Sequence, residues 1–336
     1  MTIRVAETPA SPSSSRDPAS AGRFRVYWDF VRPFTLLPPM LGMVSGALTA
    51  IGAEAHRNGH GFFSEFVHLG PLYYAWRIVL GALMAATLNG ASNVINQLYD
   101  LENDRINKPN RPLPAGKVTV RETKLLFLGL YALALAEAWF LGPPGDKLTF
   151  WIVVVAAAIT YVYSAPPFRT KRWGLAANFT IAVPRGFLLK VAGWSSVAVA
   201  WGDAEPWYIG IIFFTFLLGA STTKDYSDME GDKAARCITL PLRYGVKRSA
   251  WMIAPFFVLP WVMIPAGAFA RVLSGNLSLL VGLGLVLMAY GVFIDWLILR
   301  NPHALAEEGE NHPSWTHMYK MMMVAQIGFA ASYVFV

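Results

Sequence analysis

The chain has 336 residues, of which 55% are hydrophobic and 15% charged, and its mean hydropathy is +0.41. This composition excludes an ordinary soluble domain, because several segments contain the roughly 20 mostly apolar residues that a membrane-spanning helix needs. The net charge of +7 comes from basic loops, so it indicates anionic lipid head groups as partners and does not imply nucleic acid. Cys237 is the only cysteine, which excludes an intrachain disulfide.

Residues 1–24, rich in Ser, Pro and Ala, are predicted to form a disordered tail, and residues 25–336 a single all-α polytopic membrane domain. The tail has neither the apolar core of a signal peptide nor the acid-poor composition of a transit peptide, so we expect a prokaryotic plasma membrane. Nine transmembrane helices are predicted, at residues 34–53, 73–95, 123–141, 148–164, 175–199, 207–223, 250–270, 275–298 and 318–336.

The basic residues predict how the chain is oriented. With a cytoplasmic N-terminus, 22 of the 28 Lys and Arg residues fall in the tail and cytoplasmic loops, as the positive-inside rule requires. In this orientation the second, fourth and sixth spans all end at the cytoplasmic face. The segments with candidate chemistry follow these three spans.

A short acidic pattern occurs twice, 128 positions apart. It reads DLENDR from Asp100 to Arg105 after the second span, and DMEGDK from Asp228 to Lys233 after the sixth. Both copies are expected at helix C-termini, where the helix dipole already favours cations, so stacked carboxylates there need a compensating ion. A solvated row of acids paired with nearby Lys and Arg is the alternative, which the duplication disfavours.

Helical spacing places the acids of each copy on one face. Asn96, Asp100 and Asp104 are four and four residues apart, and a second set is three and four apart, namely Asp225, Asp228 and Asp232. Hard oxygen ligands without nearby His or Cys indicate Mg²⁺, which also binds substrate phosphates. Glu102 and Glu230 point off these faces and are expected in solvent.

Several cations near span ends suit a diphosphate held by such a metal site. The candidates are Arg32, Lys108, Arg111, Arg169, Lys171 and Lys224. Arg185 lies inside the fifth span between Pro184 and Gly186, a local break that can open a cavity wall. Lys190 in the same span either lines this cavity or pairs with Asp295.

These segments resemble the motifs of the UbiA superfamily of intramembrane prenyltransferases. Residues 96–104 with the following NKPNRPLPAG at 107–116 resemble its first motif, and residues 225–232 resemble its second. The segment from Tyr163 to Lys171 is similar to the one that follows the family's fourth helix. The resemblance covers residues 28–336 and includes the nine-helix count.

One departure from the family pattern concerns the first motif. Gln97 stands where many members have Asp, which leaves Asp100 and Asp104 as its carboxylate ligands and Asn96 as an amide donor. This form looks most like the homogentisate-type branch. Chlorophyll-synthase-like and geranylgeranylglyceryl-phosphate-synthase-like members share much of the pattern. His312, Trp315 and His317, in the last cytoplasmic loop, are expected at the surface.

The resemblance implies a fold of nine helices around a central cavity that opens near the cytoplasmic face. It implies Mg²⁺-dependent transfer of a prenyl group from an isoprenoid diphosphate to an aromatic or other lipid-precursor acceptor. The implied catalytic residues are Asn96, Asp100, Asp104, Asp228, Asp232 and Arg185. The implied metal ligands are Asn96, Asp100, Asp104, Asp225, Asp228 and Asp232. The implied diphosphate-binding residues are Arg32, Lys108, Arg111, Tyr163, Arg169, Lys171 and Lys224.

Three other functions remain open at this point. A terpene cyclase of the same superfamily would ionise the diphosphate without an acceptor. A related transferase would use a non-aromatic acceptor, such as a chlorophyllide-like compound or a glyceryl phosphate. A transporter or lipid-binding protein would use the acids as an ion site and release no diphosphate.

Overall fold

The computed structural model describes residues 22–68 and 70–336, and this part of the chain is helical apart from turns, loops and an isolated bridge between Trp173 and Ile238. Its α-helices are α1 Arg23–Val31, α2 Leu37–Arg57, α3 Phe62–His68, α4 Pro71–Tyr99, α5 Leu101–Asn107, α6 Val120–Trp139, α7 Leu148–Ser164, α8 Leu175–Ala182, α9 Leu189–Ser195, α10 Ala204–Ala220, α11 Met229–Ala234, α12 Leu240–Tyr244, α13 Val246–Ile253, α14 Pro255–Phe269, α15 Leu277–Arg300, α16 Ala304–Glu308 and α17 Pro313–Val334. Short 3-10 turns cover Pro33–Leu36, Thr170–Arg172, Ser221–Lys224 and Gly309–Asn311.

The predicted all-α class is confirmed, and the long helices are those of an integral membrane protein. Six segments are long and apolar enough to cross a membrane: Pro33–Arg57, Pro71–Tyr99, Leu175–Ser195, Ala204–Lys224, Val246–Phe269 and Leu277–Arg300. The other three predicted spans coincide with α6, α7 and α17, but within the described residues these helices are shorter or less apolar. The count of nine membrane crossings therefore stays a prediction.

The helix α1 begins just before the predicted boundary between the tail and the membrane domain, and that boundary stays a prediction. The predicted tail lies outside the described residues up to position 21, but α1 begins at Arg23. Phe30 of this helix is fully buried and packs with Val94, Ile95 and Leu113 in a small second core. This packing holds α1 and the loop after α5 against the end of α4.

The predicted break in the fifth span is a π-helical turn, Val183–Leu188, that joins α8 to α9. Pro184 has no backbone N–H to donate within this turn, and a π-turn shifts the register of the side chains that follow. The turn therefore places Arg185 on the cavity side, as described below. The expectation for Lys190 is wrong. Its side chain is buried against the Phe213 ring, with the ammonium 4.2 Å from the ring centroid. It pairs with no described carboxylate, Asp295 included.

Close approach between helices depends on small residues, as is usual inside membranes. The helix α2 packs against α4, α9 and α17, and α15 packs against α14 and α17. At Gly291 of α15 an added Cβ would lie 2.0 Å from the carbonyl oxygen of Phe257 in α14. Only glycine permits this contact.

The substitution Gly291→Ala is expected to destabilise the protein by about 1–3 kcal/mol, because α14 and α15 must separate to admit a methyl group. The matched control is Gly282→Ala on the same helix, where no described atom outside the local backbone lies within 4 Å of the added Cβ. That change is expected to be neutral or slightly stabilising. Thermal unfolding of the two variants in detergent measures the difference, and equal melting temperatures would contradict this packing.

Candidate active site

The predicted site residues gather around one cavity, apart from Lys108 and Arg169, which contact its aspartates from behind. The members that line it are Arg32, Asn96, Asp100, Asp104, Arg111, Tyr163, Lys171, Arg185, Lys224, Asp225, Asp228 and Asp232. They come from the ends of α4, α7 and α10, from the π-turn, from the short segments that follow these spans and, for Arg32, from the residue before the first span. Their roles stay predictions, whereas their proximity is a property of the fold.

The two acidic motifs meet through the short helices α5 and α11. The Asn103 amide of α5 donates to the Asp232 carboxylate across a distance of 2.9 Å. The Lys108 ammonium lies 3.0 Å from the Asp228 carboxylate. A Cβ added at Gly231 would lie 2.0 Å from Asn103 Oδ1, so the backbone of α11 lies directly against the Asn103 side chain of α5. The ends of the second and sixth predicted spans therefore form one wall.

The prediction that both acidic motifs lie at helix C-termini is wrong for most of their residues. The helix α4 ends at Tyr99, and Asp100 lies between it and α5. Asp104 lies in the first turn of α5, Asp228 precedes α11, and Asp232 lies in the first turn of α11. At these N-terminal positions the helix dipole favours negative charge. The helix dipole therefore stabilises these ionised carboxylates.

The helical spacing within the first motif survives this break. The Asp100 N–H donates to the Asn96 carbonyl across 2.9 Å, and the Asp104 N–H donates to the Asp100 carbonyl across 2.7 Å. The three side chains consequently stay on the cavity face, as the spacing predicts. Glu102 is exposed and pairs with Arg105, and Glu230 is also exposed, in agreement with their predicted solvent positions.

Every carboxylate of the first motif is paired with a cation. Lys171 and Arg169 both contact Asp100, the latter with its Nη2 atom 3.2 Å from Oδ1. Arg111 donates to both oxygens of Asp104 at 2.7 Å. These basic residues lie on loops rather than on the spans, and Arg169 has a left-handed backbone with φ of 42°. Such a conformation is unfavourable outside glycine, so the surrounding loop must hold Arg169 in place.

The second motif has more negative charge than its cations neutralise. Burial alone would raise the pKa of Asp228, but Lys224 at 3.2 Å and Lys108 hold it well below its usual range. Burial raises the pKa of Asp225 to about 8, and the neighbouring Asp232 carboxylate adds to this shift. Burial also raises the pKa of Asp232 to about 6. Two carboxylates in this wall therefore lack sufficient positive charge nearby.

The arginines that line the cavity show the opposite imbalance, because their positive charge is not neutralised. Neither Arg32 nor Arg185 pairs with a carboxylate of any described residue. Burial lowers the pKa of Arg32, and the nearby guanidinium of Arg111 lowers it further. Arg32 also has a left-handed backbone, with φ of 59°. The cavity thus contains both unneutralised carboxylates and unneutralised guanidinium groups.

The donor set fits Mg²⁺ bound together with an anion. Across residues 22–68 and 70–336, no three carboxylate, imidazole or thiol side chains are close enough to form a compact metal cage by themselves. Mg²⁺ does not require one, because it usually takes one or two carboxylates and completes its shell with water and phosphate oxygens. Asn96 Oδ1 is buried and has no hydrogen-bond partner among the described residues, so it is available as a ligand.

The sequence pattern did not predict the positions of Asn103, Trp315 and Gln97. Asn103 links the two motifs, and its position seven residues after Asn96, two helical turns away, is a signal that could have identified it. Trp315, expected at the surface, lines the cavity together with Tyr319. Gln97, the departure from the family pattern, points away and donates to the Phe30 carbonyl across 2.8 Å, so it fixes α1 instead.

Fold and cavity together define a polytopic helical membrane protein with a strongly charged site at the ends of three of its long helices. Residues 62–308 match the UbiA prenyltransferase family. The homogentisate solanesyltransferase of Arabidopsis thaliana is 30% identical to the chain, over 81% of this chain and 68% of that protein. The digeranylgeranylglyceryl phosphate synthase of Methanothermobacter thermautotrophicus is 30% identical over 57% of this chain and 65% of that protein.

The fold is also similar to solved structures. A UbiA homolog from Archaeoglobus fulgidus bound to DMAPP and Mg²⁺ has a TM-score of 0.66 and 22% identity, and the match covers 92% of this chain and 98% of that one. The chain therefore belongs to the UbiA prenyltransferase family and is a prenyltransferase. The resemblance recognised in the motifs is confirmed.

The substitution Gly231→Ala is expected to reduce prenyltransferase activity by about 100-fold, because the added methyl group displaces the Asn103 and Asn107 side chains, breaks the hydrogen bond to Asp232 and misaligns the two motifs by about 1 Å. Glu230→Ala, one residue earlier on the exposed face, is the matched control and should retain activity. Diphosphate release by the purified variants measures both effects. Full activity of Gly231→Ala would show that this contact does not align the site.

Proposed function

We propose that the protein transfers a prenyl group from an isoprenoid diphosphate to a small-molecule acceptor and releases diphosphate in a Mg²⁺-dependent reaction. The observation that carries the proposal is the joining of the two acidic motifs in one cavity wall, at the contact between Asn103 and Asp232. An aromatic acceptor is proposed first, and a glyceryl phosphate second, because similar proteins are named for each class.

The metal would be held by the oxygen donors of both motifs, namely Asn96, Asp100, Asp104, Asp225, Asp228 and Asp232. When bound, Mg²⁺ would stabilise negative charge on the diphosphate as a Lewis acid. The chain's own cations would bind the rest of that charge. Arg32 and Arg185 are unpaired toward the cavity and suit this role directly.

The remaining cations are already within reach of the site through ion pairs. Lys171 contacts Asp100, Arg111 contacts Asp104, and Lys224 contacts Asp228. A substrate that brings both Mg²⁺ and a polyanion can replace each pair with a carboxylate–metal and a cation–phosphate contact. The exchange conserves charge, so binding need not leave a buried ion unpaired. Lys108 and Arg169, behind the aspartates, orient the carboxylates.

The reacting carbon would be protected from water by the location of the cavity among the membrane helices. Ionisation of an allylic diphosphate leaves a carbocation that bulk water would quench, so exclusion of water is part of the chemistry. Tyr163 lines the cavity from the last turn of α7, and its ring face can stabilise a nearby cation. We further propose a cytoplasmic N-terminus, from the distribution of basic residues.

Asp100→Asn and Asp228→Asn are each expected to reduce diphosphate release at least about 1,000-fold, because each removes a charge from the site that binds the metal and the leaving group. The measurement is diphosphate release from geranylgeranyl diphosphate by purified protein with homogentisate present. Glu102→Gln and Glu230→Gln make the same chemical change on the exposed faces and should leave the rate unchanged.

Unchanged release in either aspartate variant would refute the proposed site. Hydrocarbon products formed from geranylgeranyl diphosphate without acceptor would instead identify a cyclase. Ion flux without diphosphate release would identify a transporter.

Chelation of Mg²⁺ by EDTA should abolish activity, and added Mg²⁺ should restore it. The apparent affinity for Mg²⁺ is expected to fall by about 50- to 100-fold as the pH decreases from 8 to 6, because protons compete for carboxyl groups with a raised pKa. Asp225→Asn should flatten this pH dependence, since Asp225 has the pKa nearest 8. Activity titrated with Mg²⁺ at each pH provides the measurement, and a pH-independent affinity in the unmodified protein would contradict the assignment.

A further inference from the structure

The cavity continues beyond Arg185 in two directions that differ in chemistry. One continuation, here called the apolar branch, runs between α2, α4, α7 and α9 past Met43, Met84 and Ile152. The other, here called the inner branch, runs between α2, α10 and α17 past Leu217, Met322 and Gln326. Both share Arg185 with the charged site, so each adjoins it.

The inner branch contains buried polar atoms that lack partners. Gln326 is 2% exposed, and its Oε1 has no hydrogen-bond partner among the described residues. The same holds, within the described part of the chain, for the buried atoms Ser221 Oγ and Trp315 Nε1. All three side chains line this branch. Native proteins leave few buried polar groups unpaired, and three around one cavity indicate a polar ligand.

The apolar branch is different. Its lining includes three polar residues, Asn89, Ser92 and Thr160. The Asn89 amide already donates a hydrogen bond to the Thr35 carbonyl across 2.9 Å. Thr160 likewise bonds to the Tyr131 hydroxyl at 2.9 Å. The rest of the lining is aliphatic, and Arg185 stands where the branch meets the charged site. A hydrocarbon chain in this branch would contact mainly aliphatic side chains and would remove few polar atoms from water.

The inner branch also has an aromatic wall. The rings of Trp315 and Tyr319 are 4.9 Å apart between centroids and inclined at 66°, and Phe34 packs against Tyr319 at 5.9 Å. Trp315 and Tyr319 line the charged site as well as the branch. Such a wall favours a flat ring, which stacks on or packs edge-on against aromatic faces. The wall lies where an acceptor would meet the reacting carbon.

The charges favour a hydroxylated aromatic ring with at most one negative charge over a phosphate dianion in this branch. Its two cations, Arg185 and Lys224, lie where it joins the charged site, and Lys224 is already paired with Asp228. Gln326 and Ser221 offer only neutral hydrogen bonds. A phosphate here would compete with the diphosphate for Arg185, whereas phenolic hydroxyl groups can bond to the amide, the hydroxyl and the indole N–H.

We propose that the inner branch is the acceptor subsite, in which Ser221, Trp315 and Gln326 recognise a hydroxylated aromatic acceptor while the prenyl chain occupies the apolar branch. This inference rests on the proposed function and assigns its two organic substrates to separate parts of the cavity. It also makes Gln326 and Trp315 specificity-determining residues.

The test uses Gln326→Leu, which removes the amide and nearly preserves side-chain volume, and Trp315→Phe, which removes the indole N–H and keeps an aromatic ring. Equilibrium binding of homogentisate and of a thio analogue of geranylgeranyl diphosphate is measured by calorimetry for the full-length protein. Each variant should bind homogentisate about 3- to 30-fold more weakly, the loss of one hydrogen bond, and the diphosphate analogue within about twofold of the unmodified protein. Since no described residue forms a hydrogen bond with the replaced amide, Gln326→Leu should not lower the melting temperature.

The matched control is Trp261→Phe. Trp261 Nε1 is also buried without a partner in the described chain, but its side chain is packed in the core away from both branches. This variant should bind both probes normally.

Weaker binding of the diphosphate analogue with unchanged homogentisate binding would overturn the assignment, because it would place the prenyl chain in the inner branch. Unchanged binding of both probes, or binding of geranylgeranylglyceryl phosphate with no binding of homogentisate or 4-hydroxybenzoate, would also overturn it. Binding of both probes without diphosphate release would count against the proposed function and leave the subsite assignment intact.

Discussion

The contact between α5 and α11 is the interaction on which the site depends. The spans that precede these short helices are far apart in the sequence, and neither motif has enough donors to hold both a metal and a polyanion. The hydrogen bond from Asn103 to Asp232, at 2.9 Å, and the ion pair from Lys108 to Asp228, at 3.0 Å, join them. Gly231 permits this approach because any side chain there would overlap Asn103.

Charge balance connects this contact with the chemistry. Asp225 and Asp232 have raised pKa values because burial and mutual repulsion disfavour their ionised forms, while Arg32 is buried near Arg111. Bringing such groups together costs free energy that folding alone does not recover. A dication and a diphosphate would neutralise both imbalances at once. The charges of the site therefore complement a charged substrate and are unbalanced without one, as expected for a functional cavity.

The sequence was sufficient for the features that depend on local patterns. Apolar runs identified the long helices, and the spacing of Asp100 and Asp104 identified the cavity face, since helical periodicity is a local property. It was not sufficient for α1, which is short and stabilised by the burial of Phe30 against α4. Nor could it show that Trp315 lines the cavity or that Lys190 packs on Phe213, because these depend on which helices are neighbours. The acidic motifs were predicted at helix C-termini because the sequence does not reveal that new helices begin at them.

The central claim is that both acidic motifs hold one metal–diphosphate complex. A crystal structure with Mn²⁺ and a thio analogue of geranylgeranyl diphosphate, with anomalous scattering used to locate the metal, tests this most directly. We predict metal peaks that are contacted by carboxylates of both motifs, with a single diphosphate between these carboxylates and Arg185. The contacts would come from Asp100 or Asp104 in the first motif and from Asp228 or Asp232 in the second. Metal bound to one motif alone, or a diphosphate outside this cavity, would contradict it.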